Sequence, residues 1–267
     1  MDVRSRFHFH CLPFTREIAV DRLFHLDRYT EAVDAVVLAI ESRMSACVIA
    51  PAGSGKTVLA RAITQRLPEA RYRVRYSAVT GLSKRDMCRE IALAMSLPPA
   101  GAYNHLVRRI QEAAVALTDT DAVRPVLILD DAHELRSDVI GMLRALTNFD
   151  MDSRLVLSIV LCGQPPLAAM LRRAEHEDMA RRIVHYAVLG SLSREEVQQY
   201  VAHRCTVAGA VTVPFDQGSF DAIYEVGRGN LRATDVIALK SLEVADRRNR
   251  DMVDATCVVE ARRFMCP

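Results

Sequence analysis

The sequence predicts an α/β domain built on a parallel sheet, followed by a smaller, wholly α-helical domain. Three observations carry this. Strand-length apolar runs alternate with helical patterns between about residues 29 and 190. The central runs, "PVLILD" (125–130) and "RLVLSIVLCG" (154–163), are apolar on both alternating faces, as in a parallel sheet covered by helices on either side. From about residue 191 every patterned stretch is helical, with no strand between the stretches.

Taken in order, "YTEAVDAVVLAIESR" (29–43) has apolar positions at helical spacing. "ACVIA" (46–50) is a short apolar strand that feeds a glycine-rich turn, and "KTVLARAITQRL" (56–67) is a helix stopped by Pro68. "YRVRYSAV" (72–79) alternates, with Tyr72, Val74 and Tyr76 on one face and Arg71, Arg73 and Arg75 on the other, and reads as a half-exposed strand. Helices follow at 83–96 and 103–117, then strand 125–130, a helix over 135–147 and strand 154–163. A helix over 166–173 and the strand "RIVHYAVL" (182–189) complete the α/β part. The C-terminal helices begin with Ser193, which has Glu196 three residues later and forms a capping box. These patterns divide the chain into an N-terminal segment (1–28), an α/β domain (29–190) and a helical lid (191–267).

Composition narrows the setting. Half of the 267 residues are apolar and a quarter charged, as in an ordinary globular protein. No run of about 18 uncharged apolar residues occurs, and "MDVRSRFHFHCLPFTREI" lacks the apolar core of a signal peptide. The seven cysteines (11, 47, 88, 162, 205, 257, 266) never fall in a C-x-x-C spacing. Cys47 and Cys162 lie within apolar runs, so the expectation is free thiols in a reducing cytoplasm. His8, His10 and Cys11 resemble a metal cluster only superficially. A net charge of +2 gives no bulk argument for nucleic acid. The basic residues are nearly all arginine, with lysine only at 56, 84 and 240.

One of those lysines closes a phosphate-binding pattern. Ala50-Pro51-Ala52-Gly53-Ser54-Gly55-Lys56-Thr57 fills G-x-x-x-x-G-K-[ST], with alanine in place of the first glycine, between a strand and a helix. Backbone N–H groups of such a turn and of the helix N-terminus cradle phosphate; Pro51 through Val58 are the expected lining. Lys56 would reach the β- and γ-phosphates, and Thr57 would hold Mg²⁺. The first position ends the strand, so alanine there requires only a negative φ.

"PVLILDDAHEL" (125–135) supplies the acidic half and resembles a Walker B strand, with Asp130 at the Mg²⁺ position and Asp131 where most hydrolysing proteins with that motif carry glutamate. A carboxylate at 131 would polarise the attacking water, and its shorter side chain points to slow hydrolysis. His133 and Glu134 stand nearby, although a helix starting there turns Glu134 outward. Gln164 ends the strand 154–163, at the sheet end where open α/β folds bind ligands. Arg181 and Arg182 in "MARRIVHY", and Arg232 in "GRGNLRATD", offer guanidinium groups for developing γ-phosphate charge.

The order of these motifs resembles the AAA+ ATPases. Within them the chain is similar to the ExeA-like ATPases and to the TniB/TnsC/IstB transposition regulators. "FHFHCLPF" (7–14), "APAGSGKT", "VLILDDAHEL", "SIVLCGQPPL" (158–167), "RRIVHYAVLGSLSREEVQQYVAHR" (181–204) and "GRGNLRATDVIALKSL" carry the likeness over nearly the whole chain. The phosphate turn and acidic strand are specific only to the superfamily; "GQPPL" and "LSREEVQQYVAHR" narrow it. The resemblance implies a sheet order of 5-1-4-3-2 and an N-terminal segment covering the nucleotide. It also implies sensor roles for Gln164 and Arg232, and an arginine finger at Arg182 or Arg181.

It further implies an ATP- and Mg²⁺-dependent ATPase that forms homo-oligomers on duplex DNA and directs a partner transposase. Contacts to DNA phosphates would be salt-sensitive and independent of sequence. Lys84 and Arg85 in "GLSKRD", with His105, Arg108 and Arg109 in "YNHLVRRI", are the expected DNA-facing residues. Arg71, Arg73 and Arg75 are weaker candidates, since charge also protects an edge strand from unwanted pairing. The alternative is a nucleotide-gated adaptor of a secretion or signalling system that does not touch DNA. A metabolic kinase fits less well, because no acceptor-substrate pocket is evident.

Overall fold

A computed structural model describes residues 2–15 and 17–264; Cys266 of the cysteine set lies outside them. The chain forms two compact units. One gathers the N-terminal segment through Leu26, the three residues Gly53–Gly55, and the chain from Gly190 onward; the other holds Asp27–Ala52 and Lys56–Leu189.

The N-terminal segment opens with one helical turn, α1 (Val3–Arg6). The α/β unit then runs α2 (Asp27–Glu41), β1 (Ser45–Ile49), α3 (Lys56–Arg66), β2 (Tyr72–Ala78), α4 (Lys84–Ala94), α5 (Tyr103–Asp119) and β3 (Arg124–Asp130). After a 3-10 turn at Ala132–Glu134 come α6 (Ser137–Leu146), β4 (Ser158–Gly163), α7 (Pro166–Leu171), α8 (Glu177–Ala180) and β5 (Ile183–Val188). The five strands pair in parallel in the order β2-β3-β4-β1-β5, which is the expected 5-1-4-3-2 read from the other edge.

Period-two alternation explains the two cores. Cys47 and Ile49 of β1, Leu127 and Leu129 of β3, and Ile159 and Leu161 of β4 point to one face, against α4, α5 and α6. Their neighbours Ala46, Val48, Val126, Ile128, Val160 and Cys162 point to the other, against α2 and α3. On α5 the buried residues Leu106, Ile110 and Ala114 recur every four positions, so a single stripe meets the sheet. Each Leu or Ile so buried contributes about 1.5–3 kcal/mol, which makes these two layers the main source of cohesion. Burial also pushes the Cys47 and Cys88 thiols up to about 12, so they pack as inert hydrophobes.

Two elements depart from expectation. β4 begins at Ser158 rather than 154, because Arg154 is drawn into an antiparallel bridge with Phe149 and its guanidinium pairs with Asp119. On β2, Tyr72 and Val74 turn to the core as expected. Tyr76 is 48% exposed.

The helical unit comprises α9 (Arg194–Val207), α10 (Gln217–Gly227), α11 (Leu231–Arg247) and α12 (Ala255–Arg262). Each begins at a side-chain cap: the Ser193–Glu196 capping box, Asp216, Asn230 and Asp254. The N-terminal segment is part of this unit. Val3, Phe7, Phe9 and Phe14 enter the same core as Val197, Val201, Ile237 and Leu242. A buried polar cluster adds direction: Tyr200 donates to Asp235 (2.7 Å), and Arg204 donates to the Tyr200 hydroxyl (2.8 Å) and the Thr15 carbonyl (2.6 Å).

Candidate nucleotide site

The carboxyl ends of β1, β3 and β4 define the site, with β1 lying between β4 and β5 where the strand order reverses. Ala50 is wholly buried and its N–H donates to the Gly163 carbonyl at 3.0 Å. It is absent from the residues with positive φ, so the alanine meets the one requirement placed on it.

Lys56, at the start of α3, is only 7% exposed, and its ammonium donates to the carbonyls of Ala50 (3.2 Å) and Pro51 (3.0 Å). A buried cation is tolerable only with such partners. Thr57 donates its hydroxyl to Asp130 Oδ2 at 2.8 Å. A hydroxyl and a carboxylate side by side are the hard oxygen donors that Mg²⁺ prefers, so the residues fit the ion. Tyr76 donates to the same Asp130 oxygen at 3.1 Å, and burial together with that carboxylate pushes its phenol up to about 12. Sequence reading missed this contact, since Tyr76 looked like one more strand residue.

Asp131 follows directly, and its N–H donates to Asp130 Oδ1 at 2.9 Å. Its backbone is left-handed (φ 53°, ψ 33°), a conformation that Asp and Asn adopt far more readily than Glu. That gives a backbone reason for aspartate at this position. Glu134 ends the 3-10 turn with its side chain 59% exposed. Gln164 lies just past β4, and its Nε2 is 2.6 Å from His133 Nε2.

The arginines separate. Arg182 is taken up within its own unit, pairing with Asp152 and donating to the Thr147 carbonyl, and its side chain is 17% exposed. Arg181 is 73% exposed and makes an i,i+4 pair with Glu177. In the helical unit, Arg232 is the second residue of α11; its side chain is exposed and its N–H donates to the Gly53 carbonyl at 3.1 Å.

The residues expected to face DNA stand at the N-terminal ends of α4 and α5. Lys84 lies over the Tyr103 ring at 5.0 Å, and Arg85 donates to the Gly101 carbonyl at 3.3 Å. His105 is exposed, Arg108 pairs with Glu112 at 2.7 Å, and Arg109 donates to the carbonyls of Pro98 and Ala100.

Fold and phosphate turn together give the chain the architecture of the AAA+ P-loop NTPases. Residues 40–171 match the family model described as an AAA domain. The chain is 31% identical over 198 residues to General secretion pathway protein A of Aeromonas hydrophila, covering 73% of this chain but only 36% of that protein. Among solved structures, Cdc6p of Pyrobaculum aerophilum superposes with a TM-score of 0.70 at 18% identity, covering 95% of this chain and 68% of that one. The Thermotoga maritima RuvB Holliday junction branch migration motor gives 0.64 at 16% identity over 94% and 72%. The Aeropyrum pernix ORC1 protein in complex with DNA gives 0.66 at 18% identity over 89% and 64%. At these identities the likeness is one of fold. Among the described residues no helix is long and apolar enough to cross a membrane.

Proposed function

We propose that the chain binds ATP with Mg²⁺ and hydrolyses it slowly, as an ATP-dependent switch. The convergence of Lys56, Thr57 and Asp130 at one end of the sheet carries this reading. Pro51, Ala52, Gly53, Ser54, Gly55 and Val58 complete the phosphate turn. Lys56 exchanges its two backbone carbonyls for phosphate oxygens. Thr57 and Asp130 hold Mg²⁺, which neutralises phosphate charge. Asp131 orients the water, Gln164 and Arg232 sense the γ-phosphate, and Arg181 or Arg182 acts on a neighbouring subunit's nucleotide. Of that pair the exposed Arg181 is the freer to reach across, because Arg182 is held by Asp152.

In its finer form, this switch forms homo-oligomers on duplex DNA in the cytoplasm and directs a partner transposase. Lys84, Arg85, His105 and Arg108 are the proposed DNA-facing residues. Two observations support it: the N-terminal ends of α4 and α5 lie together, with Lys84 over the Tyr103 ring and Arg85 on the Gly101 carbonyl, and a similar fold is known in complex with DNA. A second reading, a nucleotide-gated secretion adaptor, is favoured by the likeness to General secretion pathway protein A.

ATP turnover and particle size, measured with and without duplex DNA, separate the two. Stimulated hydrolysis or ATP-dependent assembly on DNA is expected. No DNA binding at low salt with a non-hydrolysable analogue overturns the DNA reading. For the site itself, Lys56→Ala abolishes nucleotide binding, and retained tight binding overturns the assignment.

A further inference from the structure

Beside Asp131 stands a histidine with an unspent hydrogen-bonding group. His133 is the middle residue of the 3-10 turn Ala132–Glu134, with its side chain only 12% exposed. Its Nε2 lies 2.6 Å from the Gln164 side-chain nitrogen and 3.5 Å from Glu134 Oε1. Its Nδ1 is buried without a hydrogen-bond partner, 4.0 Å from Asp131 Oδ1. An amide NH₂ can only donate, so the ring accepts at Nε2, and the neutral imidazole carries its proton on Nδ1. Nδ1–H is therefore a buried, unsatisfied donor 4.0 Å from the carboxylate next to the Mg²⁺ position, less than about 1 Å beyond hydrogen-bond reach. Leaving such a donor unpaired is costly, and contraction of the gap removes that cost.

The turn is seated to hold this geometry. A Cβ on Gly163 would lie 3.1 Å from the His133 backbone nitrogen and 2.7 Å from Leu167 Cδ2. The backbone that carries His133 thus packs flush on the end of β4, the strand that also delivers Gln164. The ring spans two strand ends, with Gln164 on one side and Asp131 on the other.

We propose that His133 is a positioning residue that relays the state of Gln164 to Asp131. This rests on the hydrolytic reading above. Gln164 holds the ring in its Nδ1–H form, and that N–H closes on one oxygen of Asp131 and leaves the other to aim the water. A short aspartate on a left-handed backbone gains from the histidine the orientation that a longer glutamate would take from its own reach. A nucleotide-dependent change at Gln164 is thereby felt at Asp131 without any movement of the phosphate turn.

Nitrogen NMR of the His133 ring in the full chain, above the ordinary histidine titration range, tests this alongside turnover. The Nδ1–H tautomer is expected in the wild type. Gln164→Leu should shift the ring toward Nε2–H, and Asp131→Asn should move the Nδ1 resonance when a non-hydrolysable ATP analogue is bound. In turnover, His133→Phe should lower kcat about 10- to 100-fold, with KM and analogue affinity within about twofold. His133→Asn, which keeps a donor near the Nδ1 position, should recover part of the loss. Combining His133→Phe with Gln164→Leu should be no slower than the worse single variant.

An Nε2–H ring in the wild type, a tautomer indifferent to Gln164→Leu, or effects on kcat that multiply overturns the relay. A wild-type protein that binds ATP without turnover sinks the hydrolytic reading instead. In that case the response of the Nδ1 resonance to Asp131→Asn still decides whether the histidine reaches the carboxylate.

Discussion

Replacing Gly53 with alanine perturbs the phosphate turn at a point where the cost can be worked out. Gly53 has φ +73°, where an L side chain costs about 1–2 kcal/mol. An added Cβ would lie 2.5 Å from Asn230 Oδ1 and 3.0 Å from both Asn230 Nδ2 and Arg232 Cβ. Asn230 cannot yield without loss, because its Oδ1 caps α11 by accepting from the Ala233 N–H at 3.1 Å. Displacing that cap costs about 1 kcal/mol, so Gly53→Ala should destabilise the helical unit by about 2–3 kcal/mol. Asn230→Gly alone should cost only a few tenths of a kcal/mol, since glycine is itself a fair N-cap. With Asn230 shortened its two contacts vanish and only Arg232 Cβ at 3.0 Å remains, so the double variant should fall only about 1–2 kcal/mol below wild type, a coupling of about 1 kcal/mol. Urea midpoints at unchanged m-value measure all four proteins. Strict additivity, or a Gly53→Ala variant as stable as wild type, would show that the glycine does not serve this close approach.

Ala50→Gly should lose about 0.5–1 kcal/mol of stability without tightening nucleotide binding in a fluorescent-analogue titration, and a severalfold gain would contradict the geometry. Burial raises the Asp235 carboxyl from 3.8 to about 6, against the opposing pull of Arg204 and Tyr200. Between those values the native state holds a proton that the unfolded chain has lost, so this group's contribution falls as pH rises from about 4 to 6, by on the order of 3 kcal/mol. Asp235→Asn should flatten that part of the Tm–pH profile; an unchanged profile would refute the assignment. Arg182→Ala should lower Tm, because it leaves Asp152 without its partner, whereas Arg181→Ala should leave Tm within about a degree while reducing turnover in the assembled protein. Asp131→Glu should slow turnover severalfold rather than speed it, as read by phosphate release, and a faster enzyme would falsify the account of the left-handed position.

The central strands were legible because a covered parallel sheet leaves near-continuous apolar runs, and three such runs, with an alternating strand on either edge, alternated with helical patterns. The phosphate turn was legible because its chemistry is contiguous in the chain, and Asp130 because it ends the most apolar strand. What stayed hidden depends on tertiary neighbours. Nothing local marks Tyr76 as a partner of Asp130, since the contact arises only once β2 pairs with β3. The late start of β4 reflects the engagement of Arg154 by Asp119, 35 residues away in sequence, and strand propensity carries no trace of it. Two adjacent arginines look equivalent in "MARRIVHY"; one becomes an internal anchor and the other stays exposed. The N-terminal phenylalanines join the helical unit's core, where they bury apolar surface that a short segment cannot bury alone.

The first alanine of the phosphate turn and the aspartate at 131 depart from the common pattern in physically different ways. At position 50 the fold asks for a negative φ and a backbone donor to Gly163, and alanine supplies both. At position 131 the fold asks for a left-handed residue, which selects for aspartate and at the same time shortens the carboxylate's reach. Backbone preference and the reach that the proposed catalytic role asks for are therefore set against each other at one residue. A buried histidine donor 4.0 Å from the carboxylate, itself held by the residue at the end of β4, is the feature that can reconcile them. On that proposal, the rate of hydrolysis is governed by how often that gap closes and not by how tightly the phosphate turn grips a nucleotide.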